Sequence, residues 1–291
     1  MEHSRPKEKP EDAGEDYKPE YETVKEWETI NSMVPIWQRP KSKVEQKEYA
    51  DFYQSKFGDW EEPLLTVHVA AEGNFEYKAL LYVPGHVPMN YYSTEFKKGL
   101  QLYSSGVMIM DKCADLLPDH FSFVQGIVDT PDVSLNISRE MLQHDRQLKV
   151  IANNIEKKVK SELVKLMKDD REKYEKFWGI FGMQFKYALM NSYGQNRDTL
   201  RDLLLFWSSK EDKLTSLAEY VERMPASQEK VYYVCADSVE NAARMPQAER
   251  VLKAGYEVLY LIVDEDELVL QMLENAGEGK PFVSVSSEDA L

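Results

Sequence analysis

The feature that most constrains the fold is a change of hydrophobic period at Leu148. Beyond it Val150, Ile151, Ile155, Val159, Leu163 and Leu166 recur at helical steps, with Lys and Glu between them, which predicts an amphipathic helix with one buried stripe. A second helix is expected around Phe177, Trp178, Phe181, Phe185 and Leu189, and a third over 199–207. Aromatic stripes at that spacing read as core rather than as a binding site. Before Leu148 the period is two. Segments 64–70 and 75–83 alternate as strands across the turn Glu72-Gly73-Asn74. Further strands are expected in 100–110 and 121–128, after a helix over 44–57. Past Lys213 strands and helices alternate again, with strands at 231–235, 258–263 and 281–285 and helices after Ser238 and over 267–274.

That order predicts an α/β sandwich, then a helical connector, then a small layer domain with a parallel sheet. The first residues are rich in Glu, Lys and Pro and poor in apolar side chains, the composition of a disordered linker. A chain that starts this way reads as an internal piece of a longer protein.

Composition limits the partners. A net charge of −15 over 291 residues argues against nucleic acid and against an anionic membrane surface. Cys113 and Cys235 are the only cysteines, too few for a disulfide scaffold, and a cytoplasmic location is expected. No apolar run has the length of a membrane span, and there is no apolar signal core.

The search for catalytic motifs yields little. Neither a phosphate-binding loop nor Gly-x-Gly-x-x-Gly is present, and 277–280 reads as a turn. The histidines never fall at metal-ligand spacing. Cys235 is expected to be a small buried residue of a strand. One stretch stands out, Ser134-Leu135-Asn136-Ile137-Ser138-Arg139-Glu140-Met141-Leu142-Gln143. Ser138 suits a helix N-cap, and Arg139 and Gln143 are spaced to share a helix face. A guanidinium with an amide one turn away suits a phosphate or a carboxylate; an ordinary ion pair within the fold is the alternative. Met89-Asn90-Tyr91-Tyr92, with Phe96 beyond, is an aromatic cluster in an expected loop, which either folds back on the core or contacts a partner; Trp37 has the same two options.

Longer matches then emerge. Val34-Pro35-Ile36-Trp37, Phe57-Gly58-Asp59-Trp60-Glu61-Glu62-Pro63-Leu64, Ala79-Leu80-Leu81-Tyr82-Val83-Pro84, Tyr220-Val221-Glu222-Arg223-Met224-Pro225 and Gly255-Tyr256-Glu257-Val258-Leu259 resemble, in order, the middle segment of heat-shock protein 90 chaperones of the bacterial high-temperature protein G type. The stretch from Leu135 to Gln143 is similar to that family's catalytic loop. The resemblance implies a charged linker over 1–26, a large α/β/α sandwich over 27–150, a three-helix coil over 151–210 and a small α/β/α layer domain over 211–291. It also implies that a separate N-terminal domain holds ATP and Mg, while this segment binds no cofactor alone and has no activity of its own. By the same resemblance Arg139 reaches the γ-phosphate with Gln143 beside it, completing a chaperone ATPase site. A C-terminal dimerisation domain and client proteins are further implied partners, with Trp37, Met89, Tyr91 and Tyr92 as client or domain contacts. The alternative is a client- and partner-docking module without a catalytic role. Asn136 and Met108 are expected to support the loop. Met108 stands where many members have a phenylalanine, and Ser105 and Gly106 lie in a strand where many have two arginines. With the dimerisation region absent, a monomer or weak dimer is expected.

Overall fold

The computed structural model describes residues 2–6, 21–25, 34–73, 75–133, 146–210, 212–277 and 279–287. Strands β1 (Glu2–Pro6) and β2 (Tyr21–Lys25) pair antiparallel in a two-stranded sheet of their own. This differs from the unstructured linker expected there. A backbone ladder uses groups that every residue carries, so composition alone does not report it.

Helix α1 (Gln46–Phe57) starts where the Glu45 N–H donates to Glu48 Oε2 at 2.9 Å and stops at Gly58, whose φ of 69° is left-handed. Strands β3 (Leu65–Ala71) and β4 (Tyr77–Val83) form the expected hairpin, with Val67 opposite Leu81. The apolar run over 100–110 is two strands, β5 (Leu100–Ser104) and β6 (Val107–Cys113). They turn through Ser105 and Gly106, whose φ values of 51° and 83° give the two-residue turn that matches strand twist. In the run over 121–128 only the end is strand, β7 (Gln125–Asp129); Asp119–Phe121 is a 3-10 turn that sends Phe121 into the core.

The sheet order is β3-β4-β7-β5-β6, with β7 central, antiparallel to β4 and parallel to β5. Gly126 makes that centre feasible. A Cβ there would lie 2.3 Å from the Leu80 carbonyl oxygen, and its φ of 154° suits glycine. One face of the sheet packs Leu80, Tyr82, Tyr103 and Ile127 against Trp37 and the Tyr49 and Tyr53 side of α1.

The other face meets the helices. α2 (Arg146–Asp169) buries Leu148, Ile151, Ile155, Val159, Leu163 and Met167, which is the predicted stripe in outline. Asp170 interrupts the helical run by accepting a hydrogen bond from the Lys173 N–H and capping α3 (Arg171–Asn191). Phe177, Phe181 and Phe185 of α3 are fully buried, and Phe181 stacks on Phe123 at 4.2 Å between ring centres.

The third helix expected over 199–207 is corrected. Only α4 (Arg197–Leu200) and a 3-10 turn at Arg201–Leu203 are helical, and β8 (Leu205–Ser208) follows. An unbroken apolar run serves a buried strand as well as a helix, and pairing with neighbours decided it. Then come β9 (Lys213–Ser216), α5 (Leu217–Arg223) capped by Ser216 and Glu219, β10 (Val231–Cys235), α6 (Val239–Arg244) capped by Ser238, and α7 (Pro246–Lys253). Last are β11 (Val258–Leu261), α8 (Asp266–Leu273) and β12 (Phe282–Ser284). Their order is β12-β10-β11-β8-β9. β10 is parallel to β11 and β12, but β8 is antiparallel to both β11 and β9, so this sheet is mixed and not parallel throughout.

The second sheet is covered on both faces as well. Tyr232, Val234, Val258 and Tyr260 pack on Ala242, Ala248 and Val251, while Val231, Leu259 and Leu261 face the cluster that contains α3 and α8. That cluster also contains Leu81, Leu100 and Val128 of the first sheet, so one apolar core runs from sheet to sheet through the helices. Among the described residues no helix is long and apolar enough to cross a membrane.

Candidate functional site

Arg139, Gln143 and Asn136 lie outside the described residues. The structure does describe the root from which their segment departs. Asp129 ends the central strand β7 and is 5% exposed. Its Oδ2 accepts from Trp37 Nε1 at 3.0 Å and from Gln38 Nε2 at 2.8 Å, and the Gly106 N–H reaches both carboxylate oxygens at 3.2 and 3.1 Å. Four residues on, the buried Ser104 hydroxyl donates to the Val133 carbonyl at 2.6 Å. Between them the Thr130 N–H donates to Tyr103 O and the Thr130 hydroxyl to Glu76 O, while Asp132 accepts from the Glu76 N–H. A cavity of about 290 Å³ lies beside this root, lined by Gln38, Glu76, Tyr77, Lys78, Ser105, Asp129 and Pro131.

Trp37 is part of this arrangement. Its ring is buried against Tyr103 and Phe52, at 5.1 and 5.9 Å. Of its two options, the fold uses the inward one. Met108 faces Tyr103 across the β5–β6 ladder and is half exposed, next to the equally open Val107. The aromatic loop is divided. Tyr91 is buried, bonds Ser122 Oγ at 2.7 Å and packs on Phe96 and Phe181, and burial pushes its hydroxyl pKa up to about 12. Met89 and Tyr92 point out, 88% and 67% exposed. Sequence reasoning missed Asp129 and Ser104. The available signal for the first was a carboxylate closing an apolar strand just before Thr130-Pro131, where a turn must start.

Elsewhere the expected buried Cys235 is exposed. It is the last residue of β10, at the mouth of a crevice with Asp237, Asp264 and Glu267. Strand position set the expectation, but strand ends open to solvent. Although the residue is exposed, desolvation at that mouth, followed by the carboxylates of Glu267 and Asp266, pushes the thiol up to about 11, which suppresses the nucleophilic thiolate. Among the described residues there is no group of three or more His, Cys, Asp or Glu that could hold a metal ion.

Known proteins give a consistent comparison. The model of the Hsp90 protein family matches residues 1–291. The chaperone protein HtpG of Bacillus subtilis is 56% identical over 270 residues, covering 93% of this chain and 43% of that protein. HtpG of Oceanobacillus iheyensis is 55% identical over the same length, and that of a Clostridium botulinum strain 53% over 275 residues. The chain thus spans less than half the length of these curated relatives. Among solved structures, the middle domain of a Plasmodium falciparum heat shock protein superposes with a TM-score of 0.74 at 28% identity, covering 87% of this chain and all of that one. From the family match and these relatives, the chain belongs to the Hsp90 protein family.

Proposed function

We propose that the chain acts as the middle segment of an ATP-dependent chaperone, supplying Arg139 to the γ-phosphate of ATP held with Mg on a separate N-terminal domain. What supports this reading is the way the segment carrying Arg139 is mounted. It leaves from the end of the central strand β7, with Val133 tied to Ser104, and re-enters at Arg146, the first residue of the 24-residue helix α2. A segment with both ends held on packed elements suits a group that must meet a phosphate at a defined place. In phosphoryl transfer a guanidinium at the charge that develops on the transferred group lowers the barrier, and its effect falls on turnover more than on ground-state binding. Gln143 supplies an amide near the same oxygens, and a C-terminal domain pairs two copies of the whole protein.

In the full-length protein Arg139→Ala should lower ATP turnover by about 100-fold or more with little change in KM for ATP. A large loss of nucleotide affinity with normal turnover would place the role elsewhere. The exposed Met89 and Tyr92 favour a second reading, a client- and partner-docking segment with no direct catalytic part. That reading requires turnover to survive Arg139→Ala while Met89→Ser with Tyr92→Ser weakens capture of an unfolded protein.

A further inference from the structure

We infer that Asp129 and Ser104 are positioning residues for the chaperone's ATPase, setting where segment 134–145 leaves the first sheet; this rests on the proposed role of Arg139. The two residues do different work. Asp129 is a buried carboxylate that accepts from Trp37, Gln38 and Gly106, with Lys78 opposite it in the β4–β7 ladder and bonded to the Gln38 carbonyl at 3.3 Å. The donors gathered on its two oxygens offset the cost of burying the carboxylate. What the carboxylate gains is reach. Its oxygens join three separate pieces of chain, the Ile36–Gln38 turn through Trp37 and Gln38, the β5–β6 turn through Gly106, and its own strand end. Ser104 then fixes the far side of the same stretch by holding the carbonyl of Val133, the last residue before the segment.

The β5–β6 hairpin has consequences for this clamp. It presents Val107 and Met108 to solvent, while its turn residue Gly106 is bonded to Asp129 and its Ser104 to Val133. Any body that docks on Val107 and Met108 therefore presses on a hairpin that shares hydrogen bonds with the root of the segment. A displacement at Asp129, ten positions before Arg139, or at Val133, six before it, shifts where that side chain can reach, and a misplacement of about 1 Å is enough to cost on the order of 100-fold in a positioned reaction.

The test uses the full-length protein. Asp129→Ala, Asp129→Asn and Ser104→Ala are measured for kcat and KM with ATP, beside Arg139→Ala and with thermal unfolding of each variant. The expected result is a kcat lowered about 10-fold or more in Asp129→Ala and several-fold in Ser104→Ala, KM for ATP unchanged, and most of kcat restored in Asp129→Asn, whose amide oxygen still accepts from Trp37 and Gln38. Ser104→Ala deletes one hydroxyl and keeps the fold, so it answers even if Asp129→Ala unfolds. Normal kcat in folded Ser104→Ala and Asp129→Ala, with Arg139→Ala strongly impaired, overturns the positioning role alone. Normal kcat in all of them, Arg139→Ala included, overturns the proposed function beneath it.

Discussion

Both ring nitrogens of His86 face acceptors, Nδ1 the carbonyl of Val87 at 3.0 Å and Nε2 the carboxylate of Asp59 at 2.8 Å. Only the imidazolium donates from both, so the site favours the charged ring. The Val87 carbonyl first, and then the Asp59 hydrogen bond, raise the pKa of His86 above its ordinary 6.5, against partial burial. Glu61 adds to the same field, and Asp59 is held in turn by Tyr53. Trp60 stacks on the ring at 5.3 Å with 14° between planes, a cation–π arrangement when His86 is charged. Because the folded value is raised, the stabilisation is complete below 6.5 and is lost as pH rises through the folded pKa. Urea midpoints at about pH 6 and about pH 8 should therefore fall further for the parent than for His86→Gln. Equal falls for the two proteins would reject this. Nothing in the sequence pointed to His86, because the partners that charge it come from a loop carbonyl and a residue 27 positions away. Trp37 teaches the complementary lesson. Its apolar bulk was plain in the sequence, but the indole N–H bond to Asp129 that turns it inward depends on a strand end 92 positions further along the chain.

At the scale of elements, α3 and α8 are joined by a buried ion pair, Lys186 Nζ to Asp266 Oδ1 at 2.6 Å, with both side chains almost inaccessible. Lys186 also sits 5.7 Å from the Trp178 ring centre. Breaking such a pair strands a charge, whereas replacing both partners with apolar groups is close to neutral. Lys186→Met should cost about 3–5 kcal/mol in chemical unfolding, and Lys186→Met with Asp266→Leu should recover most of it. A double variant no more stable than the single one would show that the pair is not coupled. α3 was readable because its aromatic stripe is continuous over 21 residues. β8 was not. Leu203-Leu204-Leu205-Phe206 has no period to distinguish helix from strand, and the ladder with β9 and β11 settles it. The 121–128 run misled for a related reason, since Phe121 and Phe123 are as apolar as strand residues but serve the core from a turn. For the candidate site, local spacing singled out Arg139 and Gln143 and the family resemblance gave them their proposed role, while the contacts of Asp129 and Ser104 depend on strand pairing.

The apolar core does not divide between the two five-stranded sheets. Phe123, in the turn that leads into β7, meets Phe177, Phe181 and Phe185 of α3, and the same cluster continues through Leu203, Leu204 and Phe206 to Leu259, Leu261 and Leu270. A helix whose two flanks are buried against different sheets cannot leave one without exposing surface that stabilised the other. The division at 150 and 210 expected from the sequence is not matched by any break in this apolar core. The chain should unfold in a single thermal transition, with calorimetric and van't Hoff enthalpies equal. Phe181→Ala removes a side chain from the shared part of the core and should cost about 3–5 kcal/mol. It should also lower the transition seen by Trp37 in the first sheet's packing and by Trp207 in β8 by the same amount, followed in variants that retain only one of these tryptophans. Two resolved transitions, or a Phe181→Ala effect confined to one reporter, would mean that the sheets melt independently and that α3 serves as a hinge between them.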